Sequence, residues 1–189
     1  MTVDEIVQRV GERSRLLSSG MPVSKPPLGS DFSLNGVIPT PTSFRPAAVL
    51  VPLVRREPGI TVLLTQRTED MPSHAGQIAF PGGRKQQEDA DAKATALRET
   101  EEEVGLSRTF VQVIGAVDSY RTGTGYEITP VVGIVTPGFT IHADPREVAD
   151  VLSPGRAAKR PGLLDELLHV AQVFRAGVVA RYGGHGPAR

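Results

Sequence analysis

The chain has 189 residues, enough for one hydrophobic core with extensions and too few for two domains of ordinary size. Its 21 basic residues balance its 21 acidic residues, so no overall field would draw it to nucleic acid or to a membrane surface. The absence of cysteine excludes disulfides, thiolate zinc ligands and a cysteine nucleophile. Any affinity for phosphate must therefore come from a local group of side chains.

The N-terminal 46 residues are predicted to form a helix followed by an extended arm. Apolar residues recur at helical spacing over residues 3–17, and Thr2 with Glu5 fits a capping box. Residues 20–46 are rich in proline, which favours an extended connection. The acidic start and the lack of a long apolar run indicate a soluble cytoplasmic protein without a membrane anchor.

Residues 47–152 are predicted to form the core. Strands are expected at residues 47–54 and 60–65, joined as a hairpin, and again at 111–117 and 128–135. Between them, residues 90–104 have a helical pattern that Gly105 would end. Strands that surround a helix in mixed order predict an α/β or α+β sandwich with a mixed sheet.

The C-terminal block, residues 153–189, begins with a segment rich in proline and glycine. An apolar stripe at helical spacing over residues 163–182 predicts a helix, and residues 183–189 are expected to fray.

Glu99, Glu102 and Glu103 are the side chains that point most directly to chemistry. Residues three and four apart share one side of a helix, so these three acids are expected to converge. Like charges at such spacings weaken a helix by a few tenths of a kcal/mol per pair unless a cation compensates them. Mg²⁺ or Mn²⁺ bridging to a phosphate substrate would meet that need, whereas the simpler alternative is a solvated acidic face.

Two neighbouring features support the metal hypothesis. Arg98 precedes Glu102 by four residues and can clamp its carboxylate. Gly82 and Gly83 allow the backbone to approach closely, so that a carbonyl or amide group could face the metal or a phosphate oxygen. The alternative for the glycine pair is an ordinary turn.

Residues 98–106, Arg-Glu-Thr-Glu-Glu-Glu-Val-Gly-Leu, resemble the second half of the Nudix box, with Thr100 in an apolar position. The first half differs. Gly83 lies fifteen residues before Arg98 where the general box has fourteen, and Ala90 stands where the box has a glutamate. One extra loop residue would account for the offset, and the acids that could replace that glutamate are Glu88, Asp89 and Asp91.

Residues 63–83 narrow the resemblance to the coenzyme A pyrophosphatase subgroup. That subgroup carries leucine-leucine-threonine-any-arginine upstream of a glycine and a phenylalanine-proline-glycine-glycine string, all present here. Pro72 replaces a typical arginine, and Thr68 replaces serine or alanine. The resemblance runs from about residue 47 to 151, and the block after Leu152 lacks the family's usual aromatic tail and its tryptophan.

The resemblance implies a Nudix α/β/α sandwich whose box forms a loop-helix-loop. It also implies metal-dependent cleavage of coenzyme A into 3′,5′-ADP and 4′-phosphopantetheine. Glu99 and Glu103 would be the main metal ligands with Gly83 nearby, and Glu102 would complete the site or accept a proton. Other expectations are hydrolysis of ADP-ribose, NADH or capped RNA, or a non-catalytic nucleotide-sensing module. A homodimer is expected only by family analogy.

Substrate contacts are expected from the loops around the box. Arg67, at a strand end, could bind a phosphate with two hydrogen bonds, although exposed arginines are common there. Tyr126 could stack on adenine or simply pack, and Glu127 could supply a further acid. The substrate-binding candidates are Arg67, His74, Gln77, Gly82, Tyr126 and Glu127.

Overall fold

The computed structural model describes residues 3–18, 43–57, 59–70 and 76–152. The predicted C-terminal helix, most of the proline-rich arm and His74 lie outside these residues. The predicted N-terminal helix is present and ends one residue later than expected, at Ser18.

The described elements follow the predicted order with additional short strands. They are α1 (Val3–Ser18), β1 (Arg45–Arg56), β2 (Gly59–Val62), β3 (Leu64–Arg67), β4 (Ile78–Ala79), β5 (Gly82–Arg84), α2 (Ala92–Val104), a 3₁₀ turn (Arg108–Phe110), β6 (Val111–Ala116), β7 (Tyr120–Arg121), β8 (Tyr126–Val135) and β9 (Val148–Leu152).

The main sheet is mixed, as the sequence predicted. Strand β1 pairs antiparallel with β2 and β5 and parallel with β8, and β8 pairs antiparallel with β6 and β7. The centre of β1 is buried on both faces, which explains why its sequence is a continuous apolar run rather than an alternating one.

The prediction of one strand over residues 60–65 was wrong, because the chain leaves the main sheet between β2 and β3. The amide of Leu63 donates to the carbonyl oxygen of Pro52 (3.1 Å), and the next residues pair with β4 and β9 in a separate three-stranded sheet. An apolar run does not encode which strand it will pair with. The change of sheet carries Arg67 towards β9, with an irregularity in register between Gln66 and Arg67.

The two helices cover opposite faces of the main sheet. Val51 and Leu53 of β1 pack in a cluster with Ile6 of α1, whereas Ala48 packs in a second cluster with Leu97 of α2. Burying each large aliphatic side chain contributes about 1.5–3 kcal/mol, so each helix is held by its apolar side. This arrangement confirms the predicted α+β sandwich. No helix in the described part of the chain is long and apolar enough to cross a membrane.

Helix α2 has a defined start and end. The carboxylate of Asp91 accepts a hydrogen bond from the amide of Ala94 (2.8 Å), so the helix begins at Ala92 rather than at the predicted residue 90. Gly105 ends it with φ +68, the left-handed conformation that glycine adopts most easily. These two caps fix the orientation of the acidic residues between them.

Candidate active site

Glu103 is buried where α2 meets β5. The residue is only 7% exposed to solvent, and its Oε2 atom accepts a hydrogen bond from the backbone amide of Gly82 (3.0 Å). The amide of Gly82, predicted to face a metal or a phosphate oxygen, here donates to the carboxylate of Glu103.

Glu99 lies one helical turn earlier and contacts the next residue of β5. A Cβ built on Gly83 would lie 2.5 Å from the carboxyl carbon of Glu99, so no side chain larger than hydrogen fits there unless that carboxylate moves. The Oε1 atom of Glu99 also accepts a hydrogen bond from Nη2 of Arg98 (3.0 Å). The glycine pair of β5 therefore lies against both glutamates, Gly82 against Glu103 and Gly83 against Glu99.

Glu102 takes a different position. Its side chain is 58% exposed, and Oε2 accepts a hydrogen bond from Nη1 of Arg98 (2.9 Å). Within the described ranges no three metal-ligating side chains are close enough together to form a ready-made site. The structure therefore brings Glu99 and Glu103 to the glycine strand, whereas Glu102 is linked through Arg98 to Glu99.

Asp89 forms an ion pair with Arg98. It is one of the three acids that the sequence offers as a replacement for the missing glutamate of the box. Nε donates to Oδ1 (3.0 Å) and Nη2 to Oδ2 (2.9 Å) of the buried Asp89. Nη2 also donates to the carbonyl oxygen of Arg84 (3.0 Å). Asp91 instead caps the helix, and Glu88 is exposed. Asp89 thus pairs with the arginine of the box.

Glu147 is an acidic neighbour of the site that the sequence did not reveal. It precedes β9, and its carbonyl oxygen accepts a hydrogen bond from the amide of Thr68 (3.1 Å). The hydroxyl of Thr68 also donates to the carbonyl oxygen of Arg146 (3.1 Å). A turn more than forty residues beyond the box is thereby held beside the end of β3. The signal that could have found it is an acid directly before an apolar strand.

Arg67 extends from the same strand end with an unsatisfied donor. Its amide donates to the carbonyl oxygen of Gln77 (2.9 Å), which places the predicted loop residue Gln77 beside it. The Nε atom of Arg67 is buried and has no hydrogen-bond partner among the described residues. A buried guanidinium donor without an acceptor is suited to receive an anionic oxygen.

The two buried glutamates have raised proton affinities. Burial raises the pKa of Glu103 to about 7; the hydrogen bond from Gly82 and the charge of Arg67 oppose this rise, whereas the negative charges of Glu147 and Glu99 add to it. Burial likewise raises the pKa of Glu99, although Arg98 opposes it. Burial, which disfavours the charged carboxylate, is the largest cause of both pKa shifts, and neighbouring negative charges add to it.

This donor set fits a hard divalent cation. Carboxylate and carbonyl oxygens are the ligands that Mg²⁺ and Mn²⁺ prefer, and the bare Cα of Gly83 leaves the Glu99 carboxylate beside the backbone. A bound cation would favour the charged form of these two carboxylates, which burial disfavours. The residues that could hold it are Glu99 and Glu103, with Glu102 and the backbone of Gly83 nearby.

Tyr126 and Glu127, at the start of β8, are engaged with other residues. The guanidinium of Arg45 lies over the Tyr126 ring, 4.2 Å from its centroid, and that of Arg84 lies 5.3 Å away. The carboxylate of Glu127 pairs with Nε of Arg121 (2.7 Å). Glu127 therefore has a basic partner of its own, and the further acid whose charge acts on Glu103 is Glu147.

A protein-family comparison identifies the domain formed by these strands and helices. The model of the NUDIX domain matches residues 44–168, which include every element from β1 to β9. The chain belongs to the Nudix family. The sandwich, the loop-helix-loop at β5 and α2, and the acidic residues just described are therefore the Nudix domain of this protein.

Close relatives carry the name NudL. The uncharacterised Nudix hydrolase NudL of Escherichia coli K12 is 51% identical over 108 residues, covering 57% of this chain and 55% of that protein. NudL of Citrobacter koseri is 45% identical over 135 residues, covering 70% of this chain and 67% of the relative. The chain spans little more than half the length of several of the curated relatives it matches.

Solved structures share the fold at low sequence identity. The Nudix hydrolase RenU of M. smegmatis superposes with a TM-score of 0.53 at 19% identity, covering 70% of this chain and 86% of that one. An Ap4A hydrolase of C. elegans gives 0.52 at 18% identity, covering 69% of this chain and 98% of that one. At such identities the likeness concerns the fold alone.

Proposed function

We propose that this protein hydrolyses the diphosphate linkage of a nucleoside-diphosphate derivative with Mg²⁺ or Mn²⁺. The observation that carries the proposal is the meeting of the Glu99 and Glu103 carboxylates at the Gly82–Gly83 strand. Two carboxylates one helical turn apart, with backbone beside them, offer the oxygen ligands that Mg²⁺ and Mn²⁺ prefer. The naming of the curated relatives as Nudix hydrolases supports the same reaction class.

The roles of the side chains follow from their contacts. Glu99 and Glu103 would hold the cation, and Arg98 would keep the Glu99 carboxylate in place through its hydrogen bond. The unpartnered Nε of Arg67 would bind a phosphate oxygen. When bound, the cation supplies charge neutralisation at the diphosphate and lowers the pKa of a water.

The proton that the attacking water loses has two possible acceptors. The negative charges of Glu102 and Glu147 both act on Glu99, so both acids lie close to the site. Both side chains are exposed. Glu102 forms an ion pair with Arg98, and Glu147 lies on the turn before β9. Comparing the rates of Glu102→Gln and Glu147→Gln would assign the base, because only loss of the base would flatten the dependence of rate on pH.

Coenzyme A is the substrate that we propose. The support is the resemblance of residues 63–83 to the coenzyme A pyrophosphatase subgroup, which includes Arg67 and the glycine pair. The products would be 3′,5′-ADP and 4′-phosphopantetheine. ADP-ribose, NADH, capped RNA and dinucleoside polyphosphates are the alternatives within the same reaction class.

One assay separates these possibilities. The protein is incubated with MnCl₂ and each compound in turn, and the products are identified by chromatography and ³¹P NMR. Rapid release of 3′,5′-ADP from coenzyme A, with slower turnover of the others, is the expected result. Preference for another compound would overturn the substrate assignment. Tight nucleotide binding without turnover of any compound would instead favour the nucleotide-sensing module.

A further inference from the structure

A pair of arginines meets on the ring of Tyr126, outside the acidic site. The guanidinium carbons of Arg45 and Arg84 lie 4.2 Å and 5.3 Å from the ring centroid. An aromatic ring attracts a cation through its quadrupole and also restricts where the guanidinium can move. Two like charges are therefore held close together by one tyrosine.

Among the residues that the structure describes, no acidic side chain forms an ion pair with these two arginines. Within the same ranges, the adjacent Lys85 forms no ion pair either. The side chain of Arg45 donates a long hydrogen bond, from Nη2 to the carbonyl oxygen of Thr124 (3.4 Å). The nearest acid on the strand, Glu127, is paired with Arg121 instead. As far as the described residues show, both guanidinium groups keep hydrogen-bond donors for an anion.

The sheet register places the arginine pair next to the glycine pair along the chain, but on the face of the sheet opposite to Glu99. Arg45 pairs with Tyr126 across β1 and β8, and Arg84 pairs with Ala47 across β1 and β5. Side chains two apart on a strand, or directly opposite one another, share a face, so the arginines and the tyrosine project together. Gly83 faces the other way, towards Glu99.

Strand β5 connects the two sites. The carbonyl oxygen of Arg84 accepts a hydrogen bond from Arg98, so the backbone of the arginine pair is fixed to the acidic helix. Among the described strands β5 pairs with β1 alone, and on its outer edge the amide of Gly82 donates to Glu103 while the carbonyl oxygen of Arg84 accepts from Arg98. A substrate that passes around this edge could contact the glutamates at one end and the guanidinium groups at the other.

We propose that Arg45 and Arg84, supported by Tyr126, bind a phosphate monoester of the substrate remote from the scissile diphosphate. The inference rests on the proposed function and specifies its substrate class, a nucleoside-diphosphate derivative that carries an additional phosphate. Guanidinium groups suit this ligand because their planar donors match the oxygens of a phosphate dianion. Coenzyme A has such a group on its ribose, whereas dephospho-coenzyme A, ADP-ribose and NADH do not.

The first test measures binding without turnover. The affinities of 3′,5′-ADP and 5′-AMP, which differ by one phosphate, are measured by calorimetry in EDTA for the unaltered protein and for Arg84→Ala and Arg45→Ala. We expect a preference for 3′,5′-ADP of about tenfold or more that falls to about one in each variant. Arg55→Ala, which removes an exposed arginine farther along β1, should keep the preference.

The second test uses turnover. The ratio of kcat/KM for coenzyme A to that for dephospho-coenzyme A should fall about tenfold or more in Arg84→Ala and stay constant in Arg55→Ala. Equal affinities for the two nucleotides in the unaltered protein, or a ratio unaffected in both site variants, would overturn the inference. Displacement of 3′,5′-ADP by an RNA oligonucleotide without a terminal phosphate would also count against it, because the patch would then bind a nucleic-acid backbone.

The two proposals fail in different ways. Cleavage of coenzyme A and its dephospho form at the same rate would contradict the phosphate site and support the hydrolase proposal. Selective binding of 3′,5′-ADP without cleavage of any diphosphate would support the phosphate site and contradict the hydrolase proposal.

Discussion

Arg98 and Asp89 form a two-point ion pair, with Nε–Oδ1 and Nη2–Oδ2 distances of 3.0 and 2.9 Å. Nη2 of Arg98 also donates to Oε1 of Glu99 (3.0 Å), and Asp89 is only 7% exposed. The hydrogen bonds from Arg98 hold the pKa of Asp89 well below its usual range, although burial opposes the shift. Because both guanidinium edges are used, the position of Arg98 is fixed before any ligand binds.

Asp89→Asn should weaken both stability and activity. The amide cannot accept both hydrogen bonds and carries no charge, so Arg98 loses its partner and the contacts of Glu99 and Glu102 loosen. We expect unfolding to become easier by about 1–3 kcal/mol, measured by urea denaturation, with a lower kcat. The matched control is Asp91→Asn, because asparagine caps helices as well as aspartate. Equal effects of both variants would contradict the argument.

The same pair predicts a loss of stability in acid. The folded pKa of Asp89 lies below its unfolded value of about 3.9, so its contribution is fully present above that pH and disappears as the pH falls towards the folded pKa. The urea midpoint of the unaltered protein should therefore fall more steeply between about pH 5 and pH 2 than that of Asp89→Asn. Parallel curves would show that Asp89 adds nothing to acid sensitivity.

Gly83→Ala and Gly82→Ala should have different consequences. The atoms nearest to a Cβ on Gly83 belong to the carboxylate of Glu99, which can rotate away, so we expect a folded protein with little activity. A Cβ on Gly82 would lie 2.5 Å from the backbone of Val49, which cannot move, so that variant should lose stability as well. Thermal melts and turnover measured on both proteins check the difference. A fully active Gly83→Ala protein would argue against a working role for Glu99.

The acidic helix could be predicted because its signals are local. Helical spacing aligned Glu99 with Glu103, and Gly105 marked the end of α2. Thr100 interrupts the apolar pattern without harm because its buried hydroxyl donates to the carbonyl oxygen of Ala96 (2.7 Å). The helix lacks only its predicted first two residues, since Asp91 serves as its cap.

Features that depend on distant partners could not be predicted in the same way. Three acids preceded the helix at similar spacings, and only the path of the loop brings Asp89 to Arg98. Glu147 reaches the site through backbone contacts between Thr68 and the turn before β9. The arginine pair on Tyr126 likewise depends on the pairing of strands far apart in the chain. Such contacts follow from strand pairing, which a single sequence does not specify.

Glu103→Gln tests the central carboxylate and should abolish turnover while preserving the fold. The amide oxygen can still accept the hydrogen bond from Gly82, and removing a buried negative charge relieves repulsion from Glu99 and Glu147. The loss should appear in metal binding as well. Saturating MnCl₂ should raise the melting temperature of the unaltered protein and have little effect on the variant. At a manganese concentration of one hundred times Kd, binding stabilises the folded state by about 2.7 kcal/mol.

The matched control is Glu101→Gln on the same helix, because Glu101 pairs with Arg108 (2.8 Å) away from β5. That protein should keep both the response to manganese and its activity; a Glu103→Gln protein with a near-normal metal-dependent rate would mean that the cation is held elsewhere.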